Sequence, residues 1–338
     1  MDAPKIAVVY AHDIQYPKVW LKSVLFCLVL WLAPYLCGKY TDLSFPYIAK
    51  EDIVQELVGS VGVPEDGVPW CPVVSPRLQG KNSLLNSDVQ ALSEEEIVKE
   101  NNIQEGGTWK PQECQSRYQV AIIVPFRNRS ENLQQFLSYM HPFLTRQQLN
   151  YRIVVVEQTD AAAFNRAKLF NIGFVETLKL DLADCFIFHD VDLLPLNDYN
   201  TYACTHHPRH MYSAVDTFRY NLPYRNIFGG AIAMQRVHFQ KVNGFSNKFY
   251  GWGAEDDDMY NRISDVGLTF IRFDPEVATY IMLSHCSSRP EQTNNPDQHL
   301  KVKQGDEPSA EQDGLSNLSY QVVNHQTKRL YTWLLVSC

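Results

Sequence analysis

The chain has 338 residues, enough for one large domain with appendages or for two small domains. Composition is that of an ordinary globular protein, and a formal charge of −8 argues against a nucleic-acid partner, which would need a basic face. None of the eight cysteines forms a Cys-x-x-Cys pair, which argues against a zinc module.

Residues 23–37 form an apolar run, with Lys18 and Lys22 before it and Lys39 after it. A spanning helix usually needs about 20 apolar residues, but shorter spans suit the thinner bilayers of the early secretory route. A cleaved signal peptide has similar apolar length. Here no small-x-small cleavage site follows, and Trp20, Trp31 and Tyr35 have the character of interfacial anchors. The reading is a cytoplasmic tail at 1–22, a signal anchor at 23–38, a stem at 39–70 and a lumenal catalytic domain at 71–338. A buried core helix is the alternative for the apolar run. In this topology Cys71, Cys114, Cys185, Cys204, Cys286 and Cys338 face an oxidising lumen, and their pairing stays open.

Within the lumenal part, Leu92-Ser-Glu-Glu-Glu-Ile97 reads as a helix start. The residues then predict a strand over 118–124 stopping at Pro125, a helix over 131–149, a strand over 151–157, a helix over 164–178, and a strand over 184–189. That alternation predicts an α/β fold with a mostly parallel sheet and right-handed crossovers. Ligands of such sheets bind at the carboxyl ends of the strands, where Pro125-Phe-Arg-Asn-Arg129 and Asp190-Val-Asp192 fall. No Gly-x-Gly-x-x-Gly follows the first strand, which argues against a dinucleotide turn. A fourth apolar strand ends at Met282-Leu-Ser-His285, and the polar residues 285–313 read as a long mobile loop.

The segment Phe249-Tyr-Gly-Trp-Gly-Ala-Glu-Asp-Asp-Asp258 sets an indole between two glycines and four carboxylates behind it. Adjacent acids repel, so the cluster points to cations, sugar hydroxyls or proton transfer rather than to a core. Gly251 and Gly253 suit a loop that swings over a ligand. A solvated acidic turn is the bland alternative. Asp190-Val-Asp192 after a buried strand offers hard oxygen ligands for Mn²⁺ or Mg²⁺ shared with substrate phosphates, against the alternative of a helix cap. Arg127, Arg129 and Arg166 are the guanidinium forks at hand for a diphosphate, with surface ion pairs as the alternative.

Together these segments resemble the β-1,4-galactosyltransferases, a family of inverting, metal-dependent enzymes. The resemblance spans residues 71–331. It is carried by Val124-Pro-Phe-Arg-Asn-Arg129, Phe164-Asn-Arg-Ala-Lys-Leu169, Asp190-Val-Asp192, Phe228-Gly-Gly230, Val242-Asn-Gly-Phe245, Trp252-Gly-Ala-Glu-Asp-Asp-Asp258 and Met282-x-x-His285. It implies the nucleotide-diphospho-sugar transferase (GT-A) fold, a Golgi type II membrane protein and Mn²⁺ held by Asp192, Met282 and His285. It implies a donor cradle of Pro125, Phe126, Arg127, Arg129, Phe164, Arg166, Asp190, Val191, Ile227 and Gly230. Tyr224, Trp252, Asp256 and Asp257 fall to the acceptor. Asp256 becomes the base, Glu255 a sugar contact and Trp252 the closing residue. Two disulfides, Cys71–Cys114 and Cys185–Cys204, are implied as well.

Position 227 departs from the galactose-transferring branch, which has Tyr there beside the donor C2 substituent. Ile227 removes bulk and a hydroxyl, as in the GalNAc-transferring branch, so UDP-GalNAc is the expected donor and terminal β-GlcNAc the acceptor. A galactosyltransferase using UDP-Gal is the alternative, and a catalytically weak, partner-dependent sugar-binding subunit is a second. An accessory protein partner stays open. Ala254 stands where the family has Gly, Thr217 where it often has Lys (with Arg219 near enough to compensate) and His299 where an aromatic is common. Of two Asn-x-Ser sequons, Asn128 lies in the nucleotide cradle, where a glycan would block binding, and Asn317 is the expected acceptor of a glycan.

Overall fold

The computed structural model describes residues 45–60, 64, 67–83, 89–159, 162–180, 183–251, 253–284 and 310–338. The expected tail and anchor at 1–38 lie outside the described residues, as do Trp252, His285, Cys286, His299 and residues 285–309 of the expected loop. Among the described residues no helix is long and apolar enough to cross a membrane.

Three strands with buried side chains on both faces form the centre: β2 (Gln119–Phe126), β3 (Asn150–Gln158) and β4 (Cys185–His189). They run parallel, with Ile122 opposite Ile153 on one side and Ile187 on the other. Side chains alternate between faces along a strand, so each face takes its own cover. Ile122 and Val124 join Phe136 and Met140 of the helix α3 (Ser130–Arg146). Ala121 and Ile123 join Phe170 and Phe174 of α4 (Arg166–Leu178) on the opposite face. A Cβ on Gly173 would meet Ile123 Cγ2 at 2.3 Å, so glycine lets α4 lie directly on the sheet.

Among the described residues this sheet has eight strands. Its order runs from β10 (Gln321–Thr327) and β11 (Thr332–Ser337) through β3, β2 and β4 to β8 (Ala231–Gln235) and β6 (Arg209–His210), with β1 (Thr108–Trp109) on β3. The core β11–β3–β2–β4 is parallel and the flanking pairs are antiparallel. A second sheet joins β5 (Leu193–Pro195), β9 (Thr279–Met282) and β7 (Ala214–Val215). Among the described residues the remaining α-helices are α1 (Ile53–Glu56), α2 (Glu94–Asn101), α5 (Arg236–Lys241) and α6 (Glu255–Asp265). Ser93 caps α2 with a reciprocal Ser93–Glu96 capping box.

Several boundaries differ from the sequence expectation. Strand β2 runs through Pro125, which lies opposite Val156 one pair before the ladder ends, where one missing donor is tolerated. Helix α3 stops at Arg146 rather than at 149, because Gln148 turns left-handed (φ 55°) and Leu149 is buried. Helix α4 starts at Arg166, where Asn165 accepts from Lys168 N at 2.8 Å. Residues 46–60, within the expected stem, lie on the body: Ile53 packs with Phe273, Val277 and Ala278. Residues 310–313, the described end of the expected loop, form a turn that closes on the buried Asp313. Cys71–Cys114 and Cys185–Cys204 are disulfides, as the resemblance implies.

Candidate active site

The carboxyl ends of β2 and β4 and the amino ends of α4 and α6 converge on one site. Arg166, in the first turn of α4, is its centre. Its Nε donates to Asp190 Oδ1 at 2.5 Å, its Nη1 to Glu255 Oε1 at 3.3 Å and its Nη2 to Gly230 O at 3.3 Å. One guanidinium thus ties together the end of β4, the start of α6 and the start of β8. Burial opposes its charge, but Asp190 and Glu255 outweigh burial and raise its pKa. Asp190 is pushed up to about 6 by burial first, against the pull of Arg166. Arg127 lies with its guanidinium 5.2 Å from the Phe164 ring centre and donates to Ala162 O at 2.7 Å. Pro125 and Phe126 close β2 just before it, and Val191 is buried beside Asp190.

Glu255, Asp256, Asp257 and Asp258 fill the first turn of α6, where the helix dipole favours negative charge. They do not act alike. Asp258 is buried and paired with Arg262 at 2.6 Å, so it holds the helix. Asp257 Oδ1 accepts from the half-exposed Tyr224 hydroxyl at 2.9 Å. Burial, then Asp256 and Asp257, raises the Tyr224 pKa. Asp256 is pushed up to about 7 by burial first, then by Glu255 and Asp257. A carboxylate poised there can take a proton near neutral pH. The cap residue Ala254 is buried with φ 77°, a left-handed conformation that accounts for the family's glycine at this position.

Strand pairing brings two of the expected metal ligands together. Leu193 of β5 lies opposite Met282 of β9, and Leu283 N donates to Asp192 O at 2.6 Å. The Asp192 carboxylate is nearly buried and paired with Arg129 at 2.7 Å. Met282 N donates to Asp216 Oδ1 at 2.9 Å, which fastens the turn after β7 to the same strand. The third expected ligand, His285, lies outside the described residues, and among the described residues no three His, Cys, Asp or Glu side chains cluster for a metal. The Asp192 carboxylate and an imidazole suit a hard ion such as Mn²⁺, whereas the Met282 thioether is an unusual ligand for one.

The turn into β8 approaches the acids closely. A Cβ on Gly229 would lie 2.7 Å from Asp256 Oδ2, and one on Gly230 would lie 2.5 Å from Tyr212 Cε1. Ile227 is 6% exposed and belongs to the apolar cluster that includes Leu193, Tyr212 and Leu222. Sequence reasoning missed three residues here: Asp216, His210 and Arg272. The last two grip the carbonyls of Gly229 and Ile227. Each is a lone polar residue far from the motifs in sequence, and no spacing marks it.

Residues 71–205 match the family model for the N-terminal region of glycosyl transferase group 7. Residues 209–286 match the model described as the N-terminal domain of galactosyltransferase. Human beta-1,4-galactosyltransferase 4 is 43% identical over 261 residues, covering 77% of this chain and 75% of the relative. Human beta-1,4-galactosyltransferase 1 is 42% identical over 281 residues, covering 82% of this chain and 70% of the relative. Among solved structures, a mutant Drosophila β1,4-galactosyltransferase 7 in complex with manganese, UDP-Gal and xylobiose aligns with a TM-score of 0.54 and 31% identity. That alignment covers 65% of this chain and 93% of the other. The chain belongs to the β-1,4-galactosyltransferase family.

Proposed function

We propose that this protein is an inverting, Mn²⁺-dependent β-1,4-N-acetylgalactosaminyltransferase. It moves GalNAc from UDP-GalNAc to the 4-hydroxyl of a terminal β-GlcNAc on glycoprotein or glycolipid glycans. The single observation that carries the transfer is the place of Asp256, at the head of α6 against the Gly229 turn and next to Glu255, which Arg166 holds. The complex of the Drosophila relative with manganese, UDP-Gal and xylobiose supports a nucleotide-sugar donor, a metal and a glycan acceptor. Residues 23–38 anchor the chain in the Golgi membrane with the catalytic body lumenal.

Asp256 takes the proton of the acceptor hydroxyl as that oxygen attacks the anomeric carbon of the donor. The anomeric C–O bond to the diphosphate breaks on the opposite face, so configuration inverts through an oxocarbenium-like transition state. Asp192, Met282 and His285 would hold Mn²⁺, which would supply charge neutralisation to the diphosphate leaving group. Arg129, which pairs with Asp192 here, binds the donor phosphates, and Arg127, which lies against the Phe164 ring, frames the uridine with it. Asp190 and Val191 line the nucleotide at the end of β4. Glu255, oriented by Arg166, binds the donor sugar. Tyr224, oriented by Asp257, stacks under the acceptor ring. Trp252 closes over both substrates and excludes water that would hydrolyse the donor.

Ile227 decides the donor. Its buried aliphatic side chain leaves no hydroxyl at the C2 side of the sugar, so an N-acetyl group is accepted. A second reading has a specific observation in its favour: the relatives at about 40% identity carry the name galactosyltransferase. The test is transfer to a GlcNAc-β acceptor with Mn²⁺, with the product linkage assigned by NMR. A β1-4 GalNAc product from UDP-GalNAc is expected. A product from UDP-Gal alone overturns the donor and leaves the transfer standing, and no β1-4 product from either donor overturns both.

A further inference from the structure

The turn that carries Ile227 is held from behind by two buried residues that belong neither to the expected donor cradle nor to the acid cluster. Arg272 and His210 are both fully buried. Arg272 Nη2 donates to Ile227 O at 2.6 Å, and Arg272 Nε donates to His210 Nδ1 at 2.7 Å. The other ring nitrogen, Nε2, lies 3.1 Å from Gly229 O. The Arg272 guanidinium rests 4.9 Å from the Phe270 ring centre, and the His210 ring packs against Tyr212 at 4.1 Å.

These contacts define the imidazole. Nδ1 faces an N–H donor and must accept, and Nε2 faces a carbonyl and must donate. His210 is therefore the neutral Nε2–H tautomer. Burial first, and the adjacent Arg272 second, hold its pKa far below the ordinary histidine range. A neutral ring is thus a rigid two-ended bridge from Arg272 to Gly229. The third carbonyl of the turn, Gly230 O, accepts from Asp190 N at 3.0 Å on the donor side. The turn is gripped at residues 227 and 229 from the core and at 230 from the site.

The geometry points to Arg272 and His210 as positioning residues for donor-sugar specificity. They fix the backbone of residues 227–229, and through it the distance of the Ile227 side chain from the sugar's C2 substituent. This rests on the reading that Ile227 walls the C2 pocket. A guanidinium and an imidazole are costly to bury together, and here the pair holds two main-chain carbonyls of the turn that carries Ile227.

The test takes the full-length enzyme with Arg272→Lys, His210→Asn and His210→Gln, each with and without Ile227→Ala. Asn keeps an acceptor for Arg272 and loses the donor to Gly229, and Gln does the reverse. The readouts are the ratio of kcat/KM for UDP-GalNAc over UDP-Gal, and the affinity for UDP with Mn²⁺. The ratio is expected to move by about tenfold in each variant, the scale of a small change in an apolar pocket. UDP affinity is expected to stay within about twofold, and the effect to disappear in the Ile227→Ala background. An unchanged ratio overturns the proposal. So does loss of UDP affinity in all three variants, which would assign the pair to the fold as a whole. If the wild type prefers UDP-Gal, the donor reading falls, but a ratio that still moves with these variants leaves the positioning role standing.

Discussion

Gly229→Ala is a steric probe of the base. The new Cβ would stand 2.7 Å from Asp256 Oδ2 and 3.3 Å from Asp256 Cβ. Non-bonded heavy atoms settle near 3.5–4.0 Å, so the carboxylate must retreat by about 1 Å. Gly229 has no left-handed φ, so alanine meets no backbone penalty there. Misplacement of a reacting group by about 1 Å lowers rates on the order of a hundredfold, so kcat should fall roughly 10- to 100-fold. Stability should change little, because a stiffer unfolded chain contributes about 0.4–1 kcal/mol against the crowding. The assay is kcat at saturating donor and acceptor, with UDP affinity and Tm as controls. Gly230→Ala is the contrast. Its φ of 70° and the Tyr212 ring at 2.5 Å make it a folding defect, with a clear loss of Tm. A Gly229→Ala enzyme with wild-type kcat would refute the placement of Asp256 as the base.

Asp256 is pushed up to about 7, and only its ionised form can accept a proton, so kcat/KM should rise with pH through about 7 and then level. A profile already flat at pH 5 would contradict this. The same shift has a stability sign: the folded chain holds this proton more tightly than the unfolded one. Its contribution is present at low pH and is lost as pH rises through about 7. Asp256→Asn should therefore raise the ligand-free Tm at pH 8 and leave it unchanged at pH 4, which thermal scans will show. Arg166→Ala leaves Asp190 and Glu255 without their shared cation and should lower stability by about 3 kcal/mol, with a raised donor KM. Replacing both Cys185 and Cys204 by Ser opens a link across 19 residues and should lower stability by about 3 kcal/mol in denaturant titrations.

The central strands were legible because both faces of β2, β3 and β4 are covered, which leaves long apolar runs. Asp190 and Asp192 were legible for the same reason, since carboxylates directly after such a run stand at a sheet edge. Residues 46–60 were not, because one buried residue, Ile53, makes no periodic pattern. The capping of α6 by a left-handed Ala254 was also hidden, since alanine there contradicts local preference and only the backbone angle reveals it. The disulfides came from the resemblance, as cysteine spacing leaves their pairing open. His210, Asp216 and Arg272 bind main-chain groups, and such contacts leave no signature in spacing or composition.

The most direct test of the account is donor choice at position 227. Wild-type enzyme and Ile227→Tyr are assayed with Mn²⁺ and a GlcNAc-β acceptor, each with UDP-GalNAc and UDP-Gal in competition. The account predicts GalNAc transfer by the wild type and a swing toward galactose in the variant. Wild-type preference for UDP-Gal, or a variant whose preference does not move, would contradict it.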